Sequence, residues 1–382
     1  MKASDDFQVF VKPVGAHCNM ACKYCYYLEK GPQNPETHHY RMDLNLLEKY
    51  IVQHIKASPG PDVFFSWHGG EPTLAGINYF KHIVSLQRKY RPSNMRILNG
   101  IQTNGTLLND EWCHFFADEN FMVGISIDGP EDLHSVNRQS SKGASCFDKV
   151  MRGYQLLKWY GIPFEVLCVV NAHNVDQPER VYRFFKDLGA RFITFLPFVE
   201  KQLSNKDLVS ELSVPSKAFG EFLIAVFEEW KASDIGRVKI QIVEETLRTA
   251  FDQEHTLCIF KKTCGRVPVV EHNGDFYSCD HYVNPSHLVG NIGKVPLVEL
   301  LESRQQKYFG QSKLVNLPNQ CLQCEVLDMC NGACPKDRFL KSSEGQPGLN
   351  YLCEGYKLFF KHCKPFAETV AEVWKSNNVS SV

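Results

Sequence analysis

A chain of 382 residues with 43% hydrophobic content has room for two or three domains with real cores, and it reads as a soluble globular protein. Forty-two Lys+Arg against 43 Asp+Glu leave a formal charge of -1, which offers no general electrostatic pull toward nucleic acid or anionic lipid. The opening MKASDDFQVF has no basic segment ahead of an apolar core, and no apolar run approaches the roughly 18 residues of a spanning helix, so a cytoplasmic location is expected.

From Phe7 to about Lys231 a short apolar run, a loop and an amphipathic stretch recur six times. The runs are Gln8–Val14, Val63–Trp67, Arg96–Gln102, Val123–Ile127, Glu165–Val170 and Phe192–Phe198. Amphipathic segments follow at Leu44–Ala57, Asn78–Tyr90, Asp110–Asn120, Phe147–Tyr160, Pro178–Leu188 and Pro215–Lys231. Such alternation predicts parallel strands with right-handed helical crossovers, in a doubly wound sheet or a full or partial (β/α) barrel. In barrels the active site gathers at the loops leaving the C-terminal strand ends. There the sequence places CNMACKYC, HGGEPT, TNG and, at the end of the fourth run, Ser126-Ile127-Asp128-Gly129. Turn chemistry alone would also account for each Gly or Asn in these loops.

A joining segment, 232–257, leads to a region of weak periodicity, where Asn273-Gly274-Asp275 predicts a hairpin between Val267–Glu271 and Phe276–Ser278. With so little apolar pattern, a small domain there is expected to lean on bound metal. Tyr356–Val373 reads as a closing amphipathic helix.

The 15 cysteines fall mainly in two clumps, and a reducing compartment points them to metal rather than disulfides. Cys18, Cys22 and Cys25 form C-x3-C-x2-C. Three thiolates wrap one face of a [4Fe–4S] cluster but leave one iron open, the condition for catalysis at a metal. A zinc knuckle completed by His17 is the plainer alternative. The second clump, Cys258, Cys264, Cys279, Cys321, Cys324, Cys330, Cys334 and Cys353, supplies eight thiols for two closed tetrathiolate sites, of iron–sulfur or of zinc.

C-x3-C-x2-C with Tyr24 before its last cysteine resembles the signature of radical S-adenosylmethionine enzymes, in which the open iron chelates the cofactor and an electron cleaves it to a 5′-deoxyadenosyl radical. The resemblance implies a partial (β/α)6 barrel core over 1–231 and cofactor contacts at Tyr24, Gly69, Gly70, Glu71, Ser126, Arg138 and Val199. The C-terminal thiols over 258–382 resemble a SPASM domain with two auxiliary [4Fe–4S] clusters. By position, Cys258, Cys264, Cys279 and Cys334 would hold one, and Cys321, Cys324, Cys330 and Cys353 the other. Cys113, Cys146, Cys168 and Cys363 receive no role.

CNMACKYCYYLEK, WHGGEPTLAG, QTNGTLLNDEWC, VGISIDGP, SCDHYV and CNGACPKDR together are similar to anaerobic sulfatase-maturating enzymes. That family oxidises a Cys or Ser of an unfolded or nascent sulfatase to Cα-formylglycine, with a flavodoxin- or ferredoxin-type reductant. The resemblance makes Asp280 the general base, with Tyr27 and His281 as weaker candidates for peptide contact. Three other readings remain at this point: another peptide-crosslinking SPASM enzyme, a multi-cluster electron carrier and a zinc-stabilised binding module. A first strand beginning by Phe7 leaves no room for an N-terminal peptide-docking module, and GGEP argues against a mere electron carrier.

Overall fold

The computed structural model describes residues 1–27, 41–202 and 208–379. Its contacts separate two compact units. The first contains Met1–Ser126, Asn137–Phe164 and Gly265–Gln311, and the second Ile127–Val136, Glu165–Cys264 and Ser312–Val382.

In chain order the strands are β1 (Val9–Val11), β2 (Asp62–Trp67), β3 (Arg96–Thr103), β4 (Met122–Ser126), β5 (Phe164–Val170), β6 (Phe192–Pro197), β7 (Lys239–Ile240), β8 (Val269–Val270), β9 (Asp275–Tyr277) and β10 (Leu288–Asn291). The principal helices before the cysteine-rich segment are α1 (Leu44–Ala57), α2 (Ile77–Tyr90), α3 (Asp110–Asp118), α4 (Glu131–Asn137), α5 (Phe147–Trp159), α6 (Pro178–Leu188), α7 (Ser216–Ser233) and α8 (Gln241–Ala250). All six expected strands and all six expected crossover helices are present, and the α/β reading holds.

Within the first unit the sheet runs β10-β9-β8-β1-β2-β3-β4. β1 to β4 are parallel, in register at Val9↔Phe65, Val63↔Ile97 and Ile101↔Val123. Their C-terminal ends therefore lie on one side, and so do the loops that follow them. Beneath them the core is aromatic: Phe65 and Trp67 share one face of β2 and meet Tyr50 of α1 edge-on, at 5.9 and 6.3 Å. The predicted hairpin forms as β8 and β9, antiparallel with Val270↔Phe276. β8 pairs with β1 in parallel, Phe10↔Val269, so residues from late in the chain extend the sheet beside the first strand. That pairing brings the turn after β9 to the loop after β1.

In the second unit β5 and β6 are parallel (Val166↔Ile193), and β7 adds to β6 (Phe192↔Lys239). The segment expected to join two domains contains β7 and α8. The closing helix runs Cys353–Val379 and packs on α7 and α8. Its approach to α7 needs two glycines, because a Cβ on Gly355 would stand 2.0 Å from Ser216 O and one on Gly220 2.5 Å from Gly355 O. Backbone atoms do not yield as a flexible side chain does. Gly355→Ala should therefore cost about 1–3 kcal/mol of stability by forcing the helices apart, read as a lower denaturant midpoint in the anaerobic protein.

Candidate active site

The loop leaving β1 carries the three thiols, and its main chain packs directly on the loop leaving β2. Gly70 N donates to Gly15 O at 2.8 Å and Glu71 N to His17 O at 2.8 Å. Gly69 has φ +126°, a conformation open to glycine, and a Cβ on Gly70 would stand 2.1 Å from His17 O. Here the glycines admit the main chain that presents Cys18.

Glu71 is buried, and its carboxylate accepts from Thr73 N (3.0 Å), Thr73 Oγ1 (2.6 Å), Thr103 Oγ1 (2.8 Å) and Asn104 N (2.7 Å). It ties the ends of β2 and β3 together. Asn104 Nδ2 in turn approaches Cys18 Sγ at 3.7 Å, and Met20 N donates to that sulfur at 3.4 Å. On its other side the cysteine loop is zipped to residues 137–140: Lys23 N donates to Asn137 O (2.9 Å) and Ala21 N to Gln139 O (2.8 Å). Arg138 lies in that strip, its guanidinium 5.5 Å from the centroid of the Tyr24 ring. At the end of β4, Ser126 Oγ accepts from Gln102 Nε2 at 3.0 Å. Cys18, Cys22, Cys25, Tyr24, Gly69, Gly70, Glu71 and Arg138 are thus brought together on adjoining loops.

The donor set fits an iron–sulfur cluster. Burial pushes the Cys18 thiol up to about 12, the Met20 N–H offsets part of this, and Glu71, Cys22 and Cys25 add like-charge repulsion. A cationic metal core would offset both the burial and the repulsion that oppose the Cys18 thiolate. Among the described residues no three His, Cys, Asp or Glu groups converge as ligands of one ion. A cubane asks for no such convergence, because each thiolate binds a separate iron.

Beside this loop sits a buried ionic centre. Lys12, 1% exposed, places its ammonium 2.7 Å from Glu271 Oε1 and 2.7 Å from Asp280 Oδ1. Tyr26 donates to Asp280 Oδ2 at 2.5 Å, and Tyr27 donates to the same oxygen. The Lys12 ammonium also lies 4.2 Å from the centroid of the Tyr27 ring. Burial alone would raise Asp280, but Lys12 and the two hydroxyls outweigh it and hold the carboxyl well below the usual range. Burial would likewise discharge Lys12, and the two carboxylates prevent that. Nearby, His68 stacks on Phe10 at 3.9 Å, and burial pushes it down to about 4, so it is neutral at ordinary pH. His281 meets the Tyr26 ring at 5.3 Å.

In the second unit, Cys321, Cys324, Cys330 and Cys353 line one cavity together with Gly332 and Asn350. Cys258, Cys264 and Cys334 all act electrostatically on the buried Lys313. Glu245 shapes the turn before Cys258 by accepting from Leu257 N (2.9 Å) and from His255 Nδ1–H (2.8 Å). Val199 is buried, and its carbonyl accepts from Lys336. Cys279 belongs to the first unit, directly before Asp280.

Residues 13–185 match the radical SAM superfamily model, and residues 262–325 match the SPASM model, an iron-sulfur cluster-binding domain. The chain is 43% identical over 373 residues to a serine-type anaerobic sulfatase-maturating enzyme of Bacteroides thetaiotaomicron, covering 94% of this chain and 90% of that one. The chain belongs to the anaerobic sulfatase-maturating enzyme family. A cysteine-type enzyme of Clostridium perfringens is 31% identical over 95% of this chain and 98% of its own. The solved structure of native anSMEcpe with bound AdoMet and Cp18Cys peptide aligns with a TM-score of 0.87 at 31% identity, covering 96% of this chain and 99% of that one. Streptococcus suis SuiB, at 14% identity and a TM-score of 0.62, shares the fold.

In this sulfatase-maturating family member, Lys12, Glu271 and Tyr26 are site residues that sequence reasoning missed. One signal was available: Lys12 interrupts the apolar run Gln8–Val14, and a lone cation inside a buried strand end calls for an anionic partner. Two predictions follow from this geometry. Gly70→Ala should displace the cysteine loop and leave about eight of roughly twelve irons per chain, by iron analysis of the reconstituted protein. Lys12→Met leaves two carboxylates buried without their cation and should cost about 3–5 kcal/mol, with part recovered in Lys12→Met/Glu271→Gln, by denaturant unfolding.

Proposed function

We propose that this chain oxidises a serine or cysteine side chain of a sulfatase polypeptide to the aldehyde of Cα-formylglycine. One observation supports this reading above the others: residues 12–27 provide both the three thiols and the Lys12, Tyr26 and Tyr27 groups that fix Asp280, so the loop that would hold a radical centre also positions a proton acceptor from the turn after β9. Tyr26 lies within electrostatic reach of both Asp280 and Cys25.

On this reading Cys18, Cys22 and Cys25 hold the first [4Fe–4S] cluster, and Tyr24, Gly69, Gly70, Glu71, Ser126, Arg138 and Val199 surround S-adenosylmethionine. Glu71, with its oxygens engaged by four donors, serves by holding the loop. Cys258, Cys264, Cys279 and Cys334 take one auxiliary cluster, and Cys321, Cys324, Cys330 and Cys353 the other. Residues 1–231 form the radical core, 232–257 connect, and 258–382 form the auxiliary-cluster domain. When bound, the first cluster and its cofactor supply the removal of one hydrogen atom from the substrate Cβ.

The protein's own residues then handle the proton. Asp280 is stabilised as an anion and is a weak base toward an ordinary alcohol or thiol. The proton offered to it is far more acidic, because it sits on oxygen or sulfur beside a carbon that has already lost a hydrogen atom, and its departure builds the carbonyl or thiocarbonyl bond. Tyr26 and Tyr27, both donating to Oδ2, hold the carboxylate in place to receive that proton. One electron remains, and clusters held by Cys258, Cys264, Cys279 and Cys334 and by Cys321, Cys324, Cys330 and Cys353 would be its acceptors. A flavodoxin- or ferredoxin-type protein would supply reducing electrons, in the cytoplasm; no described helix is long and apolar enough to cross a membrane.

The 43% likeness to a serine-type enzyme supports serine as an accepted target. Anaerobic incubation with S-adenosylmethionine, reductant and Ser or Cys versions of a sulfatase-motif peptide should yield products about 2 and about 18 Da lighter, respectively, with 5′-deoxyadenosine released. Asp280→Asn should keep its iron and cleave S-adenosylmethionine, yet form formylglycine about a hundredfold more slowly. Full oxidation by that variant removes Asp280 from the mechanism.

A further inference from the structure

Two cations of the second unit have no part in the scheme so far. Lys313, 1% exposed, donates to the carbonyls of Cys258 (2.9 Å), Ile259 (2.8 Å) and Lys261. Arg338 donates from Nε to Gly332 O (2.7 Å), from Nη2 to Asn331 O (2.8 Å) and Ala333 O (3.3 Å), and from Nη1 to Lys313 O. None of these acceptors is a carboxylate, so the bonds fix the guanidinium without cancelling its charge. Arg338 does not lose its proton in a protein.

Its position is specific. Three of the four carbonyls it grips, those of Asn331, Gly332 and Ala333, belong to the short loop between Cys330, assigned to one auxiliary cluster, and Cys334, assigned to the other. A Cβ on Gly332 would stand 2.4 Å from Leu317 Cδ2 and 2.5 Å from Arg338 Nη2, so glycine in CNGAC lets the guanidinium come close to that loop. The thiolates acting on Arg338 come from both sets: Cys264 and Cys334 of one, Cys321 and Cys330 of the other.

We propose that Arg338 is a fixed cation between the two auxiliary clusters that favours their reduced forms and so makes them acceptors of the electron left by the substrate. This rests on reading the eight thiols as two [4Fe–4S] sites. The balance is simple. Converting CH2–OH to CH=O releases one hydrogen as an atom, and the other as a proton to Asp280 plus an electron, which takes an oxidised [4Fe–4S]2+ core to [4Fe–4S]+. The reduced cluster carries one more negative charge, and a nearby cation in partly water-excluded surroundings stabilises it. Lys313, on the Cys258–Cys264 side, adds to the same field.

The test is a potentiometric EPR titration of the full-length protein with Cys18, Cys22 and Cys25 replaced by alanine, which leaves the auxiliary clusters alone. Arg338→Gln should weaken the reduced state of both clusters about tenfold or more, where tenfold is 59 mV for one electron, and Arg338→Lys should restore most of the difference. Unchanged potentials at full iron content overturn the proposal. If Arg338→Gln loses iron, Lys313→Gln is titrated by the same criterion; loss of iron from both contradicts the proposal, since the cations would then build the sites rather than tune them. Formylglycine is assayed separately, in the chain that keeps Cys18, Cys22, Cys25 and Arg338: its production alongside potentials unshifted by Arg338→Gln counts against Arg338 alone, whereas its absence alongside shifted potentials counts against the proposed function alone.

Discussion

The site depends on one close approach, the main chain of Gly69–Gly70 lying against that of Gly15–His17 with no side chain between them. Two parallel-strand loops are thereby locked edge to edge, and the cysteine loop gains a rigid backing that its own sequence, poor in helical or strand pattern, could not provide. The strip at 137–140 closes the other edge. A loop pinned on both sides can present three thiols to one cluster without first having to order itself around the metal.

From the same loop hangs the ionic centre of Lys12, Glu271 and Asp280. Buried ion pairs are seldom a route to stability, because the desolvation of each charge offsets most of the attraction. Their value here is positional. With one oxygen held by Lys12 and the other by two tyrosine hydroxyls, the Asp280 carboxylate has little freedom to rotate. Basicity is lost in the arrangement, and the chemistry tolerates the loss because the proton to be accepted belongs to a substrate already activated by hydrogen-atom removal. Position and timing replace intrinsic base strength.

Much of this was legible in the sequence wherever local signals act alone. α1 spans Leu44–Ala57 as expected, since Asp43 caps its start by accepting from Asn45 N. α6 begins at Pro178 and stops before Gly189, whose φ of 79° only glycine takes easily. The first strand, by contrast, is Val9–Val11 rather than Gln8–Val14, because Pro13 has no N–H to give and the chain turns there, with Gly15 N bonding back to Lys12 O. α8 lies in what the sequence presents as a joining segment: Glu245 on it is buried to organise the turn at His255–Leu257, and that need comes from tertiary contacts. The Lys12–Asp280 pair joins residues that meet because β8 adds to the edge of β1, a pairing between segments far apart in the chain that no local pattern announces.

The claim most central to this account is that the loop bearing Cys18, Cys22 and Cys25 holds a cluster with one open iron. EPR of the reduced, oxygen-free protein with and without S-adenosylmethionine tests it directly. The account predicts that the cofactor alters one cluster signal, leaves the others unchanged, and loses its effect when Cys18, Cys22 and Cys25 are replaced by alanine. A spectrum indifferent to the cofactor, or a response that survives that replacement, would contradict it.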